Sequence, residues 1–216
     1  LPSTGWAAAA ADLDGDGIVD LAIANRTTRN VSLFLGTGGG KLTAGPKLGV
    51  GDFPAAIVAA GLDGDGRVDL AVANESSHEI SLLFNGGRGK FEPAAALEPP
   101  PGHTGFAGLL VRDFDGDARA DVLSFDSGGA ALVWRSLGDH RFAPASPIAV
   151  KGGVGSLVAR DHDEMGYIEL RHGTTLHGRQ SRDPMRREEP LSYYRREGPV
   201  GQLFAELVQV PVLARR

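Results

Sequence analysis

The stretch DLDGDGIVDLAIAN, residues 12 to 25, sets four carboxylates, Asp12, Asp14, Asp16 and Asp20, into nine positions at the head of an apolar run. Nearly the same arrangement returns at GLDGDGRVDLAVAN (61–74), with Asp63, Asp65 and Asp69, and at DFDGDARADVLSFD (113–126), with Asp113, Asp115, Asp117 and Asp121. Like charges crowded this tightly repel. The spacing D-x-D-x-D-G-x-x-D lets positions 1, 3 and 5 curl around one point, with the carbonyl of position 7 and the carboxylate of position 9 closing the shell. A hard divalent cation makes that concentration of oxygen favourable. Ca2+, which accepts six to eight oxygens in irregular geometry, suits it better than Mg2+. Gly17 and Gly66 at position 6 allow the positive φ that so tight a loop demands. An EF-hand would end on a Glu at position 12 between helices, whereas here an Asp stands at position 9 and leads into a strand-like run.

The elements that must hold these loops recur with them. Asp14 and Asp63 lie 49 residues apart, and Asp63 and Asp115 lie 52 apart. Each unit runs in the same order: an apolar segment (WAAAAAD, AAIVAAG, GLLVRD), the acidic loop, a second segment (LAIAN, LAVAN, VLSFD), a third (VSLFLG, ISLLFNG, ALVWRSLG), a Gly-rich turn and a fourth (KLTAGPKL, KFEPAAAL, RFAPASPIAV). Four strands in a repeat of about fifty residues predict propeller-type blades. Apolar runs such as LAIAN, lacking strict alternation, fit sheets buried on both faces, and Ala22, Ala24, Ala71 and Ala73 would let sheets approach closely. VARDHDEMGYIEL (158–170) lines up with the third unit and sets Asp161 and Asp163 under Asp113 and Asp115, but Met165 falls where the third carboxylate should be. The expectation is an all-β fold of four-stranded blades: three clear, a fourth that is either a decayed copy or a junction, and then a short C-terminal β or irregular segment. Blades would occupy residues 1–157, and residues 158–216 would hold the decayed blade or junction and then the C-terminal segment.

Composition agrees with a globular, mainly β chain. Of 216 residues 42% are hydrophobic and 23% charged, with 31 Gly and 13 Pro. No apolar stretch reaches the roughly 18 residues that span a bilayer, and no charged segment leading into an apolar one opens the chain, so a processed, soluble protein without a membrane span is expected. The absence of Cys leaves stability to packing or metal. Residues 1–150 hold 18 acidic against 11 basic side chains, a net of −7, while residues 151–216 hold 9 against 11, a net of +2. The acidic part argues against nucleic acid. Glu188, Glu189 and Glu197 interrupt the arginines of the tail, so a solvated surface is the reading there.

The repeats resemble the FG-GAP/VCBS repeats, the calcium-loop propeller blades of integrin α-chains and many secreted bacterial proteins, over about residues 1 to 150. The resemblance implies Ca2+ ligands Asp12, Asp14, Asp16, the Ile18 carbonyl and Asp20 in the first loop. In the third it implies Asp113, Asp115, Asp117, the Arg119 carbonyl and Asp121, although Ala118 replaces the usual glycine at a cost of about 1 kcal/mol. The second loop departs from the pattern: Gly61 stands at position 1, leaving Asp63, Asp65, the Arg67 carbonyl and Asp69, so its affinity should be the lowest. The resemblance further implies an extracellular or periplasmic module that binds or adheres to protein or carbohydrate. Three or four blades cannot close a ring of the roughly six or seven common for such repeats. Self-association, or further blades from a partner or a missing segment, should cover the open face.

Residues 171–204, RHGTTLHGRQSRDPMRREEPLSYYRREGPVGQLF, resemble instead the N-terminal segment of bacterial spermidine synthase-like proteins. Their His-Gly pairs and Tyr pair do not read as part of a blade. That resemblance implies Gln180 and Tyr193 or Tyr194 near an amine ligand, and offers a second function, a non-catalytic or vestigial portion of a polyamine synthase-like protein. No G-x-G-x-x-G loop comes after it, so no enzyme activity is expected of this chain. His172 and His177, five apart, match no zinc spacing. There is no Cys nucleophile, G-x-S-x-G elbow or P-loop. LPSTG (1–5) matches a sorting signal only in its letters. Trp6, Phe53 and Phe106 precede the first strand of successive units, either as blade-packing core or as a stacking platform for sugar.

Overall fold

The computed structural model describes residues 5–106, 108–125 and 130–148 fully, and residues 159–161, 168–170, 192–194 and 208–209 as backbone strands. Among the described residues every regular element is a strand. The first blade is β1 (Gly5–Ala11), β2 (Asp20–Asn25), β3 (Asn30–Gly36) and β4 (Leu42–Gly49), in the sheet order β1-β2-β3-β4. The second is β5 (Pro54–Ala60), β6 (Asp69–Asn74), β7 (Glu79–Gly87) and β8 (Lys90–Pro93), in the order β5-β6-β7-β8. Each acidic loop links the first strand of its blade to the second, so all the loops lie at the same end of their sheets.

Proline decides how the fourth strand is built. In the first blade Gly45 and Pro46 coincide with a register shift opposite Ser32 and Phe34. In the second, β8 stops at Pro93 and pairing resumes at an isolated bridge between Ile80 and Leu97. The third blade separates altogether around Pro144, which has no N–H to donate. Its main sheet is β9 (Gly108–Arg112), β10 (Asp121–Phe125), β11 (Ala131–Trp134) and β14 (Ser146–Ile148), while β12 (Ser136–Gly138) and β13 (Arg141–Phe142) form a two-stranded ribbon.

A fourth antiparallel sheet comes next, β15 (Ala159–Asp161), β16 (Ile168–Leu170), β17 (Ser192–Tyr194) and β18 (Val208–Gln209), in the order β15-β16-β17-β18. Its first two strands fall within the stretch VARDHDEMGYIEL (158–170). Tyr193 and Tyr194 are in its third strand, paired with Glu169 and Ile168, in keeping with the expected C-terminal β segment. Twenty-one residues separate β16 from β17, where four separate β2 from β3 and four separate β6 from β7.

The core lies between blades and obeys the two-residue period of the strands. Ala22, Ala24, Val31 and Leu33 of the first blade meet Leu70, Val72 and Leu83 of the second in one buried cluster. Ala71, Ala73, Ile80, Leu82 and Phe84, on the other face of the second blade, meet Val122, Leu132 and Trp134 of the third. The second blade thus turns Ala71 and Ala73, with Ile80, Leu82 and Phe84, to its successor and Leu70, Val72 and Leu83 to its predecessor. At the loop-distal end, buried Asn25 and Asn74 donate to Ser32 and Ser81, the same side-chain pair 49 residues apart.

Candidate metal centres

The position-9 carboxylates are the most deeply set part of each loop. Asp20, Asp69 and Asp121 are fully buried. In every blade the Oδ2 atom accepts from the loop, at Leu13 (2.7 Å), Leu62 (2.7 Å) and Phe114 (2.9 Å). The Oδ1 atom accepts from the third strand, at Gly36 (2.6 Å), Asn85 (2.8 Å) and Ser136 (2.8 Å). This aspartate is therefore first a clasp joining loop to sheet, a role the spacing alone does not reveal.

Positions 3 and 5 are shaped by short backbone bonds. The position-5 N–H donates to position 3 in each loop: Asp16 to Asp14, Asp65 to Asp63, Asp117 to Asp115. The position-7 N–H donates to position 5 likewise: Ile18 to Asp16 (2.7 Å), Arg67 to Asp65 (2.8 Å), Arg119 to Asp117 (2.9 Å). At position 1, Asp12 accepts from Gly15 and Gly17, and Asp113 accepts from Gly116 and Ala118. The expected positive φ at position 6 is present in all three loops, at 85° for Gly17, 85° for Gly66 and 68° for Ala118, so Ala118 carries the strain that its side chain implies.

Convergence separates the loops. Oxygens of Asp12, Asp14 and Asp20 come within 4.8 Å of one another, as do those of Asp113, Asp115 and Asp117. Among the described residues, Asp63, Asp65 and Asp69 form no such triad. All-oxygen, anionic donor sets fit Ca2+ in the first and third loops. In the second, Gly61 supplies no carboxylate, the Arg67 carbonyl closes to 3.3 Å from where a Cβ at Gly61 would stand, and Arg67 is ion-paired with Asp65. His140, from the β12–β13 turn of the third blade, lies 2.9 Å from Asp63. The second loop does not fit the metal. Arg119 pairs with Asp117 in the third loop too, at 3.1 Å, but without breaking the triad.

The carboxyl affinities show the same division. Asp14 is pushed above the usual carboxylate range by desolvation and by Asp16, Asp20 and Asp12, against the N–H of Asp16. Burial pushes Asp121 up to about 6, helped by Asp115 and Asp117 and opposed by the N–H groups of Ser136 and Phe114. Burial likewise raises Asp69 against the N–H groups of Asn85 and Leu62. Asp63 goes the other way: desolvation raises it, but the Asp65 N–H and His140 outweigh that and hold it low. Of these four carboxyl groups only Asp63 is held below the usual range.

Other singled-out residues divide as well. Phe106 is buried edge-on against Trp134, with ring centroids 5.8 Å apart, and is blade core. Trp6 and Phe53 are exposed, and the Arg26 guanidinium lies between them, 4.4 Å and 5.2 Å from their ring centroids, paired with Glu75. Gln180, His172 and His177 lie outside the described residues, as do the side chains of Tyr193 and Tyr194. Sequence reasoning missed Asn85, whose side-chain amide donates to the carbonyls of Leu13 and Val68 and so ties the first two loops together. Its signal was an amide ending the apolar run ISLLFN. Among the described residues no helix is long and apolar enough to cross a membrane.

The FG-GAP-like repeat model matches residues 12–72 and 61–124, together just over half of the chain. The chain belongs to the FG-GAP-like repeat family. No curated protein sequence matches it. Among solved structures, BBS1N in complex with ARL6DN, in a lead-soaked crystal, is 19% identical over 76% of this FG-GAP-like chain and 49% of its own length, with a TM-score of 0.55. The mercury-soaked crystal of the same complex is 19% identical over 79% of this chain and 53% of its own, also at 0.55. The likeness is one of fold, and the chain spans about half the length of these neighbours.

Proposed function

We propose that this FG-GAP-like chain is a Ca2+-stabilised segment of a β-propeller that serves as a binding scaffold for another protein, outside the cytoplasm. The observation that carries the metal reading is the convergence of Asp12, Asp14 and Asp20, and of Asp113, Asp115 and Asp117, within 4.8 Å. Asp12, Asp14, Asp16, the Ile18 carbonyl and Asp20 would hold one ion, and Asp113, Asp115, Asp117, the Arg119 carbonyl and Asp121 the other. Bound Ca2+ would supply countercharge to the crowded carboxylates. The side chains themselves order the loops through the position-5 and position-7 N–H bonds, and the clasp at position 9 fixes each loop on its sheet.

A protein partner is favoured by the outer face of the first blade. Leu21, Ile23 and Phe34 there stand where Leu70, Val72 and Leu83 stand in the second blade. Those three are buried against the first blade, whereas Leu21, Ile23 and Phe34 are only half-buried and belong to none of the core clusters. A face of this shape fits the alanine-rich face of another blade-like sheet, from a second copy or from further chain. That BBS1N, a neighbour in fold, forms a complex with ARL6DN is in keeping with a protein ligand.

The test is calorimetric unfolding in about 1 mM Ca2+, within the weak range of extracellular calcium modules, and again in EDTA, together with light scattering. Calcium should raise the melting temperature. Leu21→Asp should shift any assembly toward monomer. A melting temperature indifferent to EDTA would remove the calcium reading, and a monomer unchanged by Leu21→Asp would remove the exposed face.

A further inference from the structure

The turn between the third and fourth strands of each blade abuts the acidic loop of the blade before it, and the residue at its tip differs in a way that matches that loop. Aligning the two N–H donors to the position-9 clasps, Asn85 and Ser136, aligns Gly89 with His140. Both are left-handed, with φ of 67° and 59°. Gly89 sets no side chain beside the four-carboxylate first loop: a Cβ built there would touch the Asp14 Cβ at 3.7 Å and the Leu35 methyls at 3.8 and 3.9 Å. His140 fills the corresponding space beside the second loop. Its ring lies flat on Phe84, with centroids 3.8 Å apart and planes at 10°, and its Nε2 lies 2.9 Å from the Asp63 Oδ2. A carboxylate oxygen only accepts, so Nε2 carries the proton and donates. Arg67 completes the arrangement by pairing with Asp65 and donating from Nε to the Asn85 carbonyl.

We propose that the second acidic loop takes no metal and is instead an interblade latch, in which His140 of the third blade and Arg67 of the loop itself stand in for the cation. Asp63 and Phe84 belong to the second blade and His140 to the third, so the contact fastens one blade to the next. Gly61 and His140 then have one explanation. A loop that has lost its position-1 carboxylate keeps its remaining charge balanced from within the chain, and a residue that would otherwise be glycine bears a side chain in a left-handed turn to do so. The latch stands whether or not the outer loops bind calcium.

The experiment is thermal unfolding of the whole chain as wild type, Asp63→Asn, His140→Ala and the double variant, each in about 1 mM Ca2+ and in EDTA. A partly exposed pair of this kind should be worth roughly 1 to 3 °C. Each single variant should therefore melt lower by that amount, equally in both solutions, and the double variant should lose no more than the worse single one. A loss at Asp63→Asn that appears only in calcium would make the second loop a metal site and overturn the proposal. Additive losses, or none, would overturn the latch. If calcium fails to shift the wild type, the metal reading of the first and third loops falls, while the double-variant comparison still decides the latch.

Discussion

The first and second acidic loops share the run LDGDG and the strand after it, yet they balance their charge by different means. The first keeps Asp12 at position 1, brings three carboxylates together and faces a bare glycine, Gly89, on the next blade. The second has Gly61 at position 1, loses the convergence and faces His140. Both retain the same buried clasp, Asp20 in one and Asp69 in the other, with the same pair of backbone donors. The acidic loop thus has two separable layers: an aspartate that builds the blade, and an outer ring of carboxylates that in the reading proposed above meets either an ion from solution or a side chain of the neighbouring blade.

Removing the shared clasp should have the largest effect. Asp69→Ala strips two buried N–H groups of their acceptor, at about 1 to 3 kcal/mol each, and the loss should be the same in calcium and in EDTA. Asp20→Ala should lose as much in EDTA and more in calcium, because it also takes a ligand from the first loop. Equal calcium dependence of the two variants in unfolding calorimetry would erase the distinction between the loops.

The outer layer should show the next largest effect. At about 1 mM Ca2+ and dissociation constants of about 0.1 to 1 mM, each occupied loop adds on the order of 1 kcal/mol. Asp14→Ala should abolish roughly half of the calcium-dependent rise in melting temperature, and Asp63→Ala none of it. The comparison is sharpened by transplant. Gly61→Asp combined with His140→Gly restores the carboxylate and the empty space, and should add a calcium increment of similar size. The Arg67 carbonyl must yield by a few tenths of an ångström for the new side chain. No increment in calorimetry would mean that Arg67 alone suffices to exclude the ion.

The remaining expectation concerns protons. Asp121, pushed up to about 6 by burial, holds its proton in the folded chain at pH values where the unfolded carboxyl, near 3.8, has lost it. In EDTA this group therefore favours folding increasingly as pH falls from about 7 toward 4, and it costs stability above 6. Calcium binding to the Asp14→Ala variant, which keeps the third loop, should release part of a proton near pH 6. The heat of binding would then differ between buffers of different ionisation enthalpy, and identical heats would deny that Asp121 is linked to the metal.

Much of this was open to sequence reasoning because it depends on local order. The offsets of 49 and 52 carry the three blades, and the period-two burial of Ala22 and Ala24 against Leu70 and Val72 is a consequence of strand geometry. The features that escaped depend on residues far apart in the chain. His140 stands 77 residues from Asp63 in a turn read only as Gly-rich, and Asn85 reaches back 72 residues to Leu13. The β12–β13 ribbon depends on Pro144 interrupting one fourth strand where Pro46 merely shifts another. The departure of the second loop from the other two was legible from Gly61 alone, but the contact of His140 with it was not.

The clasp at position 9 also has a bearing on how such an array can change over generations. Asp20, Asp69 and Asp121 spend both oxygens on backbone N–H groups of their own blade. A duplicated unit that keeps this residue keeps its sheet even when mutation erodes the rest of the loop. The exposed carboxylates can then change, one copy at a time, without passing through an unfolded intermediate.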